Sequence, residues 1–351
     1  MINTSDDKYE NFFKQIIGRS ETKLLSDDQI QKFFSNERIL VIGAGGSIGS
    51  AIARRLIFSK IKHVFFLDRD ESVLHALALE LSHTAASHSE NFFVADIRDQ
   101  QSIKDVIEKV IPTIVIHAAA LKHLVILERF PREGFLTNII GTLNVAEICA
   151  ELGVKQFVNI STDKAANPTS VLGKTKKLAE LISEEVYIGT GLMQCSVRFG
   201  NVFASRGSVI ETFVHQIKNR IPVTVTDSQV ARFFMSHNEA ANLVLAAASL
   251  QESGTYIQNM GQEVLILDVV NRIAKYLNLK PTIEIVGLKS GEKMHEELYD
   301  GPVFATKFSS ISRSIHSTKN GLVKEVRKFT PSNNAEATEQ IGKLTARYLK
   351  T

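Results

Sequence analysis

Seven consecutive residues constrain this chain more than any others: Gly43-Ala44-Gly45-Gly46-Ser47-Ile48-Gly49. The apolar run Ile39-Leu40-Val41-Ile42 leads into them, and a helical pattern leads out. A glycine at every third position between a strand and a helix is the fingerprint of a dinucleotide-binding turn. Gly43 permits the tight turn, Gly46 lets the backbone approach a pyrophosphate, and Gly49 lets helix and strand close up. Ser47 and Ile48 lead into the helix, whose free N–H groups and positive dipole end favour phosphate. A glycine-rich turn with no ligand is the competing reading, and the flanking strand and helix weigh against it.

The same alternation continues along the chain. Apolar runs at residues 63–67, 92–95, 113–116 and 156–160 each end in small or polar residues. Helical patterns at 50–59, 71–83, 102–110 and 134–150 separate them. Strands alternating with helices predict an α/β chain, a Rossmann-type doubly wound parallel sheet. After residue 198 the rhythm loosens, with a strand at 222–226 and helices at 238–250, at 267–277 and from residue 334. We therefore expect a helical lead-in over 1–36, an NAD(P)-binding domain over 37–198 and a C-terminal tail and helix over 301–351. Between them, residues 199–300 form a smaller C-terminal substrate-binding lobe, interleaved with the first domain. The pairs Phe12-Phe13 and Phe33-Phe34 read as core.

Composition narrows the function. A formal net charge of +3 on 351 residues gives no case for nucleic acid or lipid. No apolar run approaches the roughly 18–20 residues that span a bilayer, and residues 1–14 lack the apolar core of a signal peptide. Cys149 and Cys195 fit neither a disulfide framework nor a metal site. His295-Glu296-Glu297 lacks the second histidine of a zinc helix, so no metal is expected. The expectation is a soluble, cytoplasmic protein.

Asp68 ends the second strand 19 residues after Gly49, where a carboxylate accepts hydrogen bonds from the adenosine ribose. That favours NAD, while Arg69 beside it could pair with a 2′-phosphate and keeps NADP open. Asp96 and Ile97 close the third strand where adenine would lie, and Ala118, Ala119 and Ala120 end the fourth with small residues against a dinucleotide. Asn138 heads a buried helix and joins this cofactor set. After the fifth strand, Thr162-Asp163-Lys164 supplies a hydroxyl, a proton donor or acceptor, and an amine whose pKa can fall on burial. A polar turn with solvated charges is the competing reading.

The glycine spacing resembles that of extended short-chain dehydrogenase/reductases. The segment Ser161-Thr162-Asp163-Lys164-Ala165 resembles the nucleotide-sugar 4,6-dehydratases of the CapD-like polysaccharide-biosynthesis family. Further matches follow in family order over residues 20–300: His117 to His123, Arg198 to Val202, Ser205 to Val209, Arg232 to Met235 and Gly287 to Lys293. The resemblance implies a lyase acting on a UDP-N-acetylglucosamine-like substrate. NAD(P) oxidises C4, water leaves across C5 and C6, and hydride returns to C6, giving a 4-keto-6-deoxy sugar and regenerating the cofactor. It implies Asp163 as the acid at C6, Lys164 as the base at C5 and Thr162 near the C4 oxygen. Lys176 would hold the nicotinamide ribose and add positive charge.

Leu172 departs from the pattern, standing where most of these enzymes carry the tyrosine that deprotonates the reacting hydroxyl. A branch lacking that tyrosine, usually with methionine there, goes with retention at C5. The resemblance further implies Arg206 and Arg232 on the substrate diphosphate, Glu292 on the nucleotide ribose with Lys289 nearby, and Lys122 and Asn201 near the sugar or diphosphate. Apolar helix faces over 139–150 and 177–188, which family members use to pair subunits, imply a homo-oligomer, a dimer or larger. A 4-epimerase shares the fold but needs no acid and base at C5 and C6. A non-catalytic nucleotide-sugar or dinucleotide sensor is the third reading.

Overall fold

The computed structural model describes residues 7–82, 90–315 and 319–349. An apolar strand with both faces buried is satisfied only between covering layers, and β1 (Ile39–Ile42) lies there with all four residues buried. It pairs in parallel with β2 (Val64–Asp68) and β4 (Ile114–His117), so that Ile39 faces Val64 on one side and Ile114 on the other. Beyond β2 lies β3 (Phe92–Val94); beyond β4 lie β5 (Gln156–Thr162) and β6 (Met193–Phe199). The resulting order, 3-2-1-4-5-6, is the doubly wound dinucleotide-binding order, and it reverses direction between β1 and β4. The expected Rossmann-type sheet is present. Among the described residues nine strands join it, because Gly254–Gln258 continues it in parallel beyond β6. The antiparallel strands Ile311–Ser314 and Val303–Ala305 then close that edge. The sheet thus draws strands from both sides of residue 198.

Period-two alternation divides the core. Ile39, Val41, Ile116 and Val158 point to one face, against helices Ser47–Phe58 and His237–Leu250. Leu40, Ile42, Val115 and Phe157 point to the other, against Gln100–Val110 and Gly141–Glu151. A separate cluster gathers Tyr9, Phe12, Phe13 and Ile16 of helix Asp7–Ile17 against helices Val209–Lys218 and Ile266–Leu277. Phe34 is buried as expected, whereas Phe33 is 36% exposed with the Lys307 ammonium 4.8 Å from its ring.

Several boundaries move. The first crossover helix begins at Ser47, not residue 50, because Gly46 is its N-cap. The helix expected over 134–150 starts at Pro131 and passes through a π-helical turn, Phe135–Ile140, before Gly141–Glu151. The helix expected over 71–83 is Glu71–Ser82; His83 lies outside the described residues, as do residues 1–6 of the lead-in and residues 316–318 and 350–351 of the tail. Helices Leu322–Arg327 and Asn334–Tyr348 pack on helix Val171–Tyr187 and on the segment around Phe135. They lie over part of the helix faces read above as subunit-pairing surfaces. Among the described residues no helix is long and apolar enough to cross a membrane.

Candidate active site

The glycine turn is built by exclusion. Gly43 has φ +81°, and a Cβ there would lie 2.6 Å from the Ala119 nitrogen; one on Gly49 would lie 2.1 Å from the Gly43 carbonyl oxygen. Glycine at both places lets turn, helix and the end of β4 close together. Gly46 caps helix Ser47–Phe58 with no side-chain hydrogen bond, leaving first-turn N–H groups free. At the end of β2 the Asp68 carboxylate accepts from Gly45 N at 3.0 Å and from Asp70 N at 3.2 Å, which fixes it at the lip of the crevice. Gly43, Gly46, Asp68, Arg69, Asp96, Ile97, Ala118, Ala119 and Ala120 line one chamber of about 280 Å³. An uncapped helix start, glycines that admit no Cβ and a fixed carboxylate fit a dinucleotide.

Two members of the cofactor set have other attachments. Arg69 is half exposed and lies 3.9 Å from Asp96. Burial raises the Asp96 carboxyl, but the Arg98 hydrogen bonds outweigh it and hold it below the usual carboxylate range. Asn138, in the π turn, accepts from Leu121 N at 2.8 Å and donates to Leu121 O and to Thr175 Oγ1, each at 3.1 Å. Its amide ties the loop after β4 to helix Val171–Tyr187 from behind the crevice.

An adjoining chamber of about 540 Å³ is lined by Ser47, Ile48, Gly49, Lys122, Thr162, Lys164, Leu172, Lys176, Asn201 and Arg206, among others. Thr162, at the end of β5, donates to Asp163 Oδ1 at 2.8 Å, and the Lys164 ammonium donates to the same oxygen at 3.0 Å. Lys164 also reaches Asn201 Oδ1 at 3.3 Å and lies 3.4 Å from Glu296. Asp163 is fully buried, and its Oδ2 has no hydrogen-bond partner. Burial works to lower the Lys164 pKa, as the sequence suggested, but Asp163 and Glu296 outweigh it and Lys164 titrates above the ordinary lysine range. Burial does lower two other lysines of this chamber, Lys122 and Lys176, the latter to about 8. Leu172 and Lys176 stand one helical turn apart and line the same chamber.

Of the substrate set, Lys122, Asn201 and Arg206 line this chamber, with the Lys122 ammonium 3.4 Å from Ser205 Oγ. Arg206 lines both chambers, and its backbone N–H donates to Ser47 Oγ at 3.1 Å. Arg232 is buried with its guanidinium already engaged: it donates to Ala231 O at 2.8 Å and Met294 O at 3.0 Å, and pairs with Glu292 at 3.2 Å. Glu292 also accepts from Thr226 Oγ1 and from Lys289 N. Lys289 is exposed on that loop.

Sequence reasoning missed Glu296, having weighed its triplet only as a zinc motif. It is 7% exposed, lies between Lys164 and Arg232 (3.8 Å), and leaves Oε2 without a hydrogen-bond partner. The available signal was its spacing, four residues after Glu292. Also missed was the buried charge network behind the site. Arg198 grips Glu180 at 2.7 and 2.8 Å and Asp300 at 2.8 Å, and Lys177 lies 2.7 Å from Asp300.

This arrangement has relatives. The capsular polysaccharide biosynthesis protein CapD of Staphylococcus aureus is 38% identical over 81% of this chain and 48% of its own length. The chain thus spans about half the length of that relative. A UDP-glucose 4-epimerase of Rickettsia typhi is 32% identical over 76% of this chain and 78% of its own. The X-ray structure of Pen from Bacillus thuringiensis matches with TM-score 0.71 and 34% identity, over 80% of this chain and 88% of that one. More distant chains of the same fold, at 20–23% identity, are solved with NAD bound. The family model for polysaccharide biosynthesis proteins matches residues 39–313, and the chain belongs to that family.

Proposed function

We propose that this chain removes water from a nucleotide-sugar, UDP-N-acetylglucosamine or a close analogue, and forms the 4-keto-6-deoxy sugar. One observation carries the reading: Lys164, which lines the chamber beside the glycine turn, is paired with the buried carboxylate of Asp163 directly behind it. Residues 37–198 would hold NAD through Gly43, Gly46, Gly49 and Asp68, whose carboxylate disfavours the 2′-phosphate of NADP. A cofactor held there would supply the hydride acceptor for C4 and the hydride donor for C6. Lys122, Asn201, Arg206 and Arg232 would hold the substrate diphosphate and Glu292 the nucleotide ribose, with the Arg232 fork released from Glu292 to meet phosphate oxygens.

Elimination needs an amine without its proton and an acid with one, the reverse of the resting ion pair. Moving a single proton across the 3.0 Å Lys164–Asp163 contact creates both, with no exchange with solvent. Lys164 then takes the C5 proton, acidified by the C4 ketone, and Asp163 gives its proton to the C6 hydroxyl, which leaves as water. The 4-epimerase reading is favoured by the Rickettsia typhi relative, and such an enzyme has no step for an acid–base pair at C5 and C6.

The test is a panel of nucleotide-sugars deuterated at C4, followed by mass spectrometry and NMR. Loss of one water with the label transferred to C6 is the expected result. A label kept at C4 of an inverted sugar makes the protein an epimerase and overturns the proposal.

A further inference from the structure

Of the three lysines that line the chamber, one has an amine with no partner among the described residues, and no tyrosine lines it. We propose that Lys176 is the base that takes the proton from the sugar C4 hydroxyl, the work for which Leu172 has no group. The assignment rests on the nucleotide-sugar reading above and adds the residue that starts the reaction.

Three observations converge on it. Leu172 and Lys176 share a helix face and both line the chamber, so the amine stands one turn from where a tyrosine hydroxyl would project. A leucine is shorter than a tyrosine, which leaves room for the lysine to reach the sugar oxygen directly or through one water. Lys176 is 4% exposed, and among the described residues no hydrogen bond or ion pair engages its amine. Of the other amines lining the chamber, Lys164 is fastened to Asp163, Asn201 and Glu296, and Lys122 donates to Ser205 Oγ.

The charges that face Lys176 leave it free to lose its proton. Glu180, one turn further on the same helix, is gripped by Arg198. His117, across on β4, is neutral, since burial drives its pKa down to about 3. Desolvation without a bound counter-ion is the condition under which a lysine becomes a base near neutrality, and it lowers Lys176 to about 8.

The step balances. The C4–H bond breaks with its electron pair passing to the nicotinamide dinucleotide, the oxidant. The O–H bond breaks with its proton passing to Lys176 Nζ, and the C4=O double bond forms. As hydride reaches C6, Lys164 returns to C5 the proton it took, and the proton on Lys176 passes to the pair in place of the one Asp163 gave to the C6 hydroxyl, so the site ends the cycle at its starting charge.

Lys176→Arg keeps the positive charge but holds its proton at any working pH. In single-turnover mixing with the cofactor site saturated, formation of reduced nicotinamide should slow by about 10²–10⁴-fold, the usual contribution of a general base. Leu172→Tyr on that background should restore it, because the phenol supplies the base and the arginine the charge. A Lys176→Arg enzyme that oxidises sugar at the parental rate overturns the assignment, as does a double variant that binds cofactor yet stays as slow as the single. A second measurement needs no turnover: amine acetylation of the cofactor-free protein across pH, read at Lys176 by mass spectrometry. A midpoint near 8 supports the proposal, and one near the ordinary lysine value overturns it. Should the parent protein oxidise no nucleotide-sugar, the proposed function fails, and the acetylation midpoint still judges Lys176.

Discussion

Glu296 shows how far apart in sequence the parts of one site can lie. It meets Lys164, more than a hundred residues earlier, at 3.4 Å and Arg232 at 3.8 Å, and it is one of the groups that keep Lys164 charged. On the proposed mechanism, Glu296 therefore opposes the proton shift that arms the Lys164–Asp163 pair. Glu296→Gln keeps the shape and removes the charge, so Lys164 should release its proton more readily. The expected outcome is a pH profile for C5 proton exchange in deuterated water displaced toward lower pH, while C4 oxidation is unchanged. A profile that does not move would show that Glu296 only fills space. The glycine turn, Asp68 and Thr162-Asp163-Lys164 were legible because their meaning is local, each fixed by its position at the end of a strand. Glu296 was not, because only the fold brings its loop to β5. The hydrogen bonds of Asn138 to Leu121 and Thr175 were likewise not legible, because they join segments that only the fold brings together.

Among the elements, β6 was the hardest to see, and its chemistry explains why. Its sequence, Met-Gln-Cys-Ser-Val-Arg-Phe, alternates polar and apolar residues like a strand with one wet face, yet all but its first residue are buried. The polar side chains find partners inside: Gln194 donates to Ser183 at 2.9 Å, and Arg198 grips Glu180 and Asp300. A criterion based on apolar runs finds β1 and β4 and passes over such a strand. Arg198 also anchors the segment around Asp300, which descends from the loop carrying Glu292 and Glu296, and donates to the Leu298 carbonyl at 3.1 Å. Removing one partner of a buried ion pair leaves charge uncompensated, at a cost of about 3–5 kcal/mol. Arg198→Met should lower unfolding stability by about that amount in denaturant titration, and should weaken nucleotide-sugar binding more than cofactor binding. Equal stability in variant and parent would mean that the network contributes nothing net to the fold.

At the scale of the whole molecule, the helix faces that suggested subunit pairing have a covering within the chain. Leu178, Leu181 and Ile182 of helix Val171–Tyr187 and Ile139 and Leu143 of its neighbour form one apolar cluster with Leu322, Val326, Ile341 and Leu344. The C-terminal helices supply the apolar surface that a second subunit would otherwise bring. Sequence periodicity identified the apolar faces correctly and could not say what lies on them, because an apolar stripe reads the same whether its partner is another chain or a later helix. Pairing through the part of these faces that it covers therefore requires helix Asn334–Tyr348 to leave. The consequence can be measured with Ile341→Asp combined with Leu344→Asp, which places two carboxylates in that cluster and should undock the helix without touching the chambers. The parent chain should show no association that depends on these faces. The variant should expose Leu178, Leu181 and Ile182, contiguous apolar surface of the kind that drives association, and should gain mass by light scattering at micromolar concentration while keeping most of its helical circular dichroism. If instead the parent is an oligomer that the double variant dissolves into monomers, the C-terminal helix joins subunits rather than shielding them.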